Sequence, residues 1–493
     1  MKRWLVFLLA LACIVCAAPA SAAQGAMRTT VLIYMSGSDL ESEDGSATSD
    51  IQEMLRANVP ADGPLTVLVQ TGGSEKWQLN DYPDKKNCLY RISSDGYPLL
   101  ETLGKRNMGD SDTLSEFLEY GRENYPADRY ILVLWGHGDG PTGGVCFDAL
   151  YDDDSLMLDE LAGVLGDAER AGQRINAVIF DACMMNSADL LFSLGAYTDC
   201  IVASQESTLG SGGRYDLWLS ALAQNPEMDA LEICARFAAC YVSTGSHGLF
   251  SQTTTASVLD CRASEALRNA AEAFYGALNR RFDDSADEIC AAVADLVSFG
   301  ELDGSPPSGL MDAQQLCDAL ESFAPTECDA LRAAMERTVA FHADSGAQEG
   351  ATCGLSLFLP CARQSWFDAL YDWYRPLSDG SSYAQLILRM AEKQESGSGT
   401  SILGFLKDAF SGSDVPDPPV VDAQHIWQGL GQAANPAGSA HYAIYAVDMQ
   451  HVWQESEPNS DPAASAGSAQ HSTHHDIPSA DAQHIWQGLL SAD

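Results

Sequence analysis

YILVLWGHGDG, residues 130–140, sets the reading of this chain. Six apolar residues run without a polar break and then give way to a glycine-rich loop that carries His137. A near-continuous apolar run of this length suits a strand buried on both faces of a parallel sheet. Four further runs have the same character: TTVLIYM (29–35), LTVLVQT (65–71), INAVIFDA (175–182) and DCIVASQ (199–205). Amphipathic stretches separate them. Leu114, Phe117, Leu118 and Gly121 fall at helical spacing, as do Leu158, Leu161, Ala162, Leu165 and Ala168. Strands that alternate with helices predict an α/β fold, a mostly parallel, doubly wound sheet sandwiched by helices.

The remaining chain divides by composition. Residues 23–260 form the expected α/β core. Residues 261–393 read as a mostly helical second half packed on that core, with a late strand in CGLSLFLP (353–360) and a helical stretch in SSYAQLILRMAEK (381–393). From 394 to 493 Gly, Ser, Ala, Pro and Asp dominate, the composition of a low-complexity, disordered tail. That tail repeats one motif three times, as DAQHIWQGL (422–430), DMQHVWQ (448–454) and DAQHIWQGL (481–489). The copies are too short and too far apart for a solenoid. They read either as linear docking motifs for a surface partner or as a duplication without function.

At the other end, Met1-Lys2-Arg3, the apolar run Trp4 to Ala18 and the small-residue site Ala20-Ser21-Ala22 make a secretory signal peptide of residues 1–22. The expected location is therefore secreted or extracellular, with retention at the cell surface open. The apolar run is short for a transmembrane helix, and no second run is long enough to span a bilayer. Of 14 cysteines, Cys13 and Cys16 fall in the signal, so their C-x-x-C spacing is not a redox motif. The other twelve lack zinc-ribbon spacing and read as small buried residues with a few bridges.

The formal net charge is −42, from 27 basic and 69 acidic residues. A chain this acidic does not hold phosphates by charge, which excludes nucleic acid as an expected partner, whereas basic peptides are attracted. Sequences for a zincin, a nucleophile elbow and a phosphate loop are all missing.

Seven of the ten histidines lie in the tail, leaving His137, His247 and His342. Only His137 directly follows an expected buried strand, at the carboxyl edge where open α/β sheets bind ligands. Gly136, Gly138 and Gly140 around it permit a sharp turn. Cys183 ends the next strand, in VIFDACMMN, before a helix beginning near Ser187 whose positive end favours thiolate. In a parallel sheet both strand ends open on one edge, so residues 46 positions apart can meet as a Cys–His pair for acyl transfer. Position alone also allows a polar surface histidine and a core cysteine.

TVLIYMSGSDLES, YILVLWGHGDG and VIFDACMMNSADLL closely resemble the clostripain-like family of cysteine peptidases, relatives of caspases, legumain and gingipain. VASQES and GLSLFLP are similar to it as well, so the resemblance runs from about residue 29 to 393. It implies a caspase-like fold and a cysteine endopeptidase that cleaves after Arg or Lys through an acyl-enzyme. Cys183 would be the nucleophile and His137 its acid–base partner. The N–H groups of Gly138 and Cys183 would form the oxyanion hole. Asp181 matches the family's acidic S1 residue, with Glu206 and Asp216 as further candidates for that pocket. Several members mature by cutting after a basic residue between the catalytic histidine and cysteine, yet residues 138–169 contain no Lys or Arg. No cofactor is required and no metal site is expected. Calcium, which some members need, has possible oxygen donors in Glu41–Asp44 and Asp152-Asp153-Asp154. The alternative function is a catalytically silent scaffold whose tail repeats dock a partner.

Overall fold

The computed structural model describes residues 26–397 except 80–81, 209, 211, 246–253, 297, 301–307, 346–351, 360–373 and 376–379. The expected signal peptide, His247 and the three tail repeats lie outside the described residues.

Nine strands form one sheet. They are β1 (Thr29–Ser36), β2 (Leu65–Gly72), β3 (Asn87–Ile92), β4 (Leu99–Gly104), β5 (Arg129–Trp135), β8 (Ile175–Asp181), β9 (Cys200–Ala203), β10 (Thr255–Asp260) and β12 (Val339–Asp344). Two small ribbons accompany it: β6 (Val145–Asp148) with β7 (Asp154–Leu156), and β11 (Leu310–Asp312) with β13 (Ser356–Phe358). The strand order is β12-β10-β9-β8-β5-β1-β2-β3-β4. The five central strands from β9 to β2 are parallel, and the outer pairs on both sides are antiparallel. The mostly parallel, helix-sandwiched sheet expected from the sequence is therefore present. The order turns at β1, which has β2 on one side and β5 on the other.

The helices that matter for the site are α1 (Ser38–Ser42), α2 (Ser46–Arg56), α3 (Ser111–Asn124), α4 (Gly140–Gly143), α5 (Leu158–Arg170), α6 (Ala188–Leu194), α7 (Tyr215–Gln224), α8 (Ala230–Gly245) and α9 (Ser264–Ala294). Alternate residues of each central strand serve opposite faces, because successive side chains of a strand point to opposite sides. Leu32, Leu132, Leu134, Val178 and Phe180 enter one core with residues of α3, α5, α6 and α9. Val31, Ile33, Ile131, Val133 and Ile179 enter the other with residues of α2, α7 and α8. Two cores explain why these strands read as unbroken apolar runs.

Helix α3 buries Leu114, Phe117, Leu118 and Gly121, the face expected from its spacing. A Cβ at Gly121 would sit 2.6 Å from Leu32 Cδ2, so the glycine admits close contact with β1. The edge strands differ from the central ones. β4 is largely exposed and β12 is only partly buried, so neither carries the continuous apolar signature. β12 lies within the 261–393 stretch expected to be mostly helical, and it pairs with β10 as part of the main sheet.

Leu132 is fully buried at the centre of this sheet. Leu132→Ala should lower the free energy of unfolding by roughly 2–5 kcal/mol through lost burial and the residual cavity. A urea midpoint within error of the parent protein would contradict this placement.

Candidate active site

β5 and β8 are adjacent and parallel, with Trp135 paired to Asp181. His137 and Cys183 each stand two residues beyond that pair, so both emerge at the same edge on strands about 4.8 Å apart. The two turns also touch, since a Cβ at Gly138 would lie 2.5 Å from the Cys183 carbonyl oxygen. Gly136 has φ +147° and Gly140 φ +64°, conformations that favour glycine.

The edge coincides with the reversal of strand order beside β1, where doubly wound sheets open a crevice. The chain leaving β1 enters α1 and places Asp39 against the imidazole. Asp39 Oδ1 lies 2.5 Å from His137 Nε2. Burial raises the Asp39 carboxyl, but its hydrogen bond and charge interaction with His137 outweigh this and hold it below the ordinary value. Nε2 is thereby occupied and the ring orientation fixed, leaving Nδ1 for proton exchange.

Gly138 bridges to Val145 through its neighbours: Cys146 N–H donates to the His137 carbonyl at 2.9 Å and Asp139 N–H to the Gly144 carbonyl at 3.0 Å. In such a pair the central amide is not used by the ladder. The Gly138 N–H is thus left outside that ladder, beside the nucleophile turn.

Cys183 is part-buried. Thr208, from the loop after β9, donates its backbone N–H to Sγ at 3.2 Å, and its hydroxyl lies 3.3 Å from the same sulfur. Burial pushes the thiol up from its ordinary value, and the Thr208 hydrogen bonds offset only part of that shift. This corrects the expectation that a following helix favours thiolate. The N-cap is indeed Ser187, but α6 starts five residues beyond Cys183, further than the first turn over which a helix end acts.

The loop after β9 joins the late ribbon to this edge. Buried Gln205 accepts from Gly354 N–H at 3.0 Å and donates to Asp312 and Ser356 at 3.3 Å each. Asn186 donates to the Gly354 carbonyl at 2.8 Å. The VASQES and GLSLFLP segments thus meet, although about 150 residues separate Gln205 from Gly354.

The sequence profile of the Clostripain family matches residues 33–390. The chain belongs to the clostripain family. It is 29% identical over 221 residues to clostripain of Hathewaya histolytica, an alignment covering 38% of this chain and 41% of clostripain. The chain thus spans less than half the length of that curated relative. Two solved structures share the fold. An inactive zymogen C11 protease from Parabacteroides distasonis superposes with a TM-score of 0.53 at 21% identity, over 73% of this chain and 98% of that one. A secreted C11 cysteine protease from Bacteroides thetaiotaomicron, in complex with an irreversible peptide inhibitor, gives 0.52 at 19% identity, over 67% and 92%.

In this clostripain-family chain, Asp181 ends β8 almost fully buried and accepts a hydrogen bond from the Tyr215 hydroxyl at 2.9 Å. Burial raises its carboxyl to about 6. Asp216 is paired with an arginine: Arg214 donates to both of its oxygens, at 2.9 and 3.0 Å. Glu206 accepts from Gly300 N–H at 2.8 Å and from Ser207 N–H, also at 2.8 Å, so it organises the loop carrying Thr208.

The acidic stretches considered for calcium are engaged locally. Glu41 is buried and accepts from the Thr48 N–H and hydroxyl and from Gln78 N–H, at 2.8, 2.6 and 2.6 Å. Asp154 accepts from Asn107. Among the described residues no group of three or more His, Cys, Asp or Glu is placed to hold a metal ion.

Asp39 and Thr208 were not evident in the sequence. The rule that singled out His137, a polar residue just beyond a buried strand, reaches Asp39 after β1 as well. Thr208 follows β9 by an irregular loop, and no pattern predicts its approach to sulfur.

The raised thiol predicts a pH signature. Inactivation of the substrate-free protein by iodoacetamide at Cys183 should still accelerate as pH rises past 9, because only the thiolate reacts. A rate that levels off below neutrality would reveal a preformed thiolate–imidazolium pair instead.

Proposed function

We propose that this chain is an exported cysteine endopeptidase that cleaves after Arg or Lys. The observation that carries the reading is the common register of His137 and Cys183 on adjacent parallel strands, with Asp39 orienting the imidazole. Family membership supports the chemistry, as does the inhibitor-bound C11 protease of the same fold. Export is supported by the signal-like N-terminus and by the secreted structural neighbour. No helix among the described residues is long and apolar enough to cross a membrane.

In the proposed reaction Cys183 Sγ attacks the carbonyl carbon of the scissile peptide, and its proton passes to His137. The carbonyl π-electrons move onto oxygen, where the N–H groups of Gly138 and Cys183 meet the charge. The tetrahedral adduct collapses, the C–N bond breaks, and His137 gives its proton to the departing amine. Water then loses a proton to His137 as it attacks the thioester, releasing the acid and restoring the thiol. A thiol that burial pushes up from its ordinary value fits this sequence, since proton transfer accompanies attack. Asp39 acts as a positioning residue that stabilises the imidazolium formed in each half.

Asp181 is the proposed S1 carboxylate. It lies two residues before the nucleophile on the same strand end, where a P1 side chain descends beside the attacked carbonyl. Every covalent step is completed by side chains, so we propose no resident metal. The region between His137 and Cys183 lacks Lys and Arg up to Arg170 and is occupied by α4 and the β6–β7 ribbon. We infer that the catalytic unit works as one chain.

The following measurements test this reading. A fluorogenic peptide panel differing only at P1, assayed in EDTA and in calcium, should show hydrolysis after Arg or Lys in both conditions. Cys183→Ala should abolish it; turnover by that variant would remove the thiol mechanism. The preference for basic over uncharged P1 should weaken as pH falls below about 6, because protonation removes the Asp181 charge. Asp181→Asn should erase this pH-dependent preference, and uniform loss across the panel would assign Asp181 a structural role instead. Asp39→Asn should lower kcat on the order of a hundredfold or more and shift the pH profile, with KM little changed. Finally, the active protein should stay uncut between residues 138 and 169, and fragments starting in that interval would refute single-chain action.

A further inference from the structure

Twelve cysteines lie beyond the expected signal peptide, and the mechanism above uses one of them. Two others meet in the second core. Cys200 is the first residue of β9, which lies between β8 and β10 in the main sheet. Cys234 stands on α8, and both residues belong to the core that this helix closes. Both are fully buried, and their sulfurs are 3.2 Å apart although 34 positions separate them in the chain.

As thiols the two gain little from this contact, because an S–H group is a weak donor and sulfur a weak acceptor. Cys200 also reaches the Asn176 carbonyl, at 3.7 Å. Burial pushes the Cys234 thiol well above its ordinary value, and the hydrogen bond with Cys200 adds to that rise. A third cysteine, Cys261, stands nearby, with its thiol directed to the Leu259 carbonyl at 4.0 Å. Cys183 is placed differently, since its sulfur rests on Thr208.

A covalent bond is within reach of this geometry. Disulfide sulfurs lie about 2 Å apart, so closing the 3.2 Å contact brings the two together by about 1 Å, a displacement that side-chain rotation supplies. The bond would replace two weakly satisfied buried thiols with an apolar link and would close a long loop of chain, which disfavours the unfolded state.

We propose that Cys200 and Cys234 are a disulfide pair, oxidised as the exported chain folds, which staples α8 to β9. The inference rests on the export reading for its oxidant, a carrier disulfide of the dithiol–disulfide class. One cysteine thiolate attacks a carrier sulfur, forms a mixed disulfide and expels the other carrier sulfur as thiolate. The second cysteine thiolate attacks the protein sulfur of that bond and expels the remaining carrier thiolate. The protein loses two electrons and two thiol protons, and the carrier takes up both to become two thiols. Exchange precedes burial, because both sulfurs are closed to solvent in the folded chain. The finished bond is equally closed, so it is a structural link that resists reduction until the chain unfolds. It pins the start of β9, the strand that leads into the loop carrying Thr208.

The test uses the full chain, both refolded in a glutathione redox buffer and collected from the culture medium after export. Each sample is unfolded in guanidinium with excess N-ethylmaleimide, digested and mapped by mass spectrometry. Cys200 and Cys234 should escape alkylation and appear in one linked species, lighter by two hydrogens than the sum of its peptides. Dithiothreitol added to the folded protein should leave that link intact, and dithiothreitol added to the unfolded protein should break it. Alkylation of both cysteines in the refolded chain, or a bond from either to Cys261, would overturn the proposal. A bond present after refolding and missing from the chain in the medium would uphold the pair and count against export instead. The Tm of the oxidised parent should exceed that of parent refolded with reductant by roughly 2–6 °C. Cys200→Ala combined with Cys234→Ala should remove this gap, and a gap of the same size in that variant would count against the staple. Should the double variant fail to fold, the mapping alone decides.

Discussion

The pairing of β5 with β8, parallel and in register, is the constraint on which the rest of the site depends. Backbone hydrogen bonds hold the two strands a fixed distance apart, and the shared direction brings both carboxyl ends to one edge. His137 and Cys183 gain their proximity from that ladder. A shift of one residue would turn each side chain to the opposite face, so the two-sided apolar core also fixes the chemistry. β1 lies on the far side of β5 and contributes Asp39 by the same geometry.

Electrostatics at this edge are unevenly satisfied. Asp216 and Glu53 have arginine partners, and Glu41 is saturated by hydrogen bonds. Asp39 has His137. Asp50 accepts a hydrogen bond from Trp135 and Asp181 one from Tyr215, and among the described residues neither acid has an ion-pair partner. In a chain with a formal charge of −42, solvated surface acids cost little, and buried ones are the informative exceptions. The thiol follows the same logic: part-buried and hydrogen-bonded by Thr208, it is pushed up from its ordinary value by desolvation.

The second half of the chain is tied to the site by polar rather than catalytic groups. Gln205 and Asn186 hydrogen-bond the segment from Gly354 to Ser356 and hold the loop after β9 in place. That loop carries Thr208 to the sulfur. The β11–β13 ribbon therefore acts as a buttress, and β12 completes the main sheet on the same side.

The sequence by itself determined the central strands, the helix faces and the placement of His137 and Cys183 at strand ends. These are local properties: an unbroken apolar run, a 3.6-residue period and a glycine-rich turn are each readable within a dozen residues. The outer strands β4 and β12 escaped because half-exposed strands lack that run, and β3, though mostly buried, has its apolar run broken by Asn87 and Arg91. Only the tertiary structure decided which strands are neighbours, and so which distant polar residues share an edge. It brought Asp39 to the imidazole, Thr208 to the thiol and Asp50 beside Asp181, and it left Asp216 bound to Arg214. It also reversed the expected direction of the thiol's acidity, because desolvation depends on everything packed around a group and not on its neighbours in the chain.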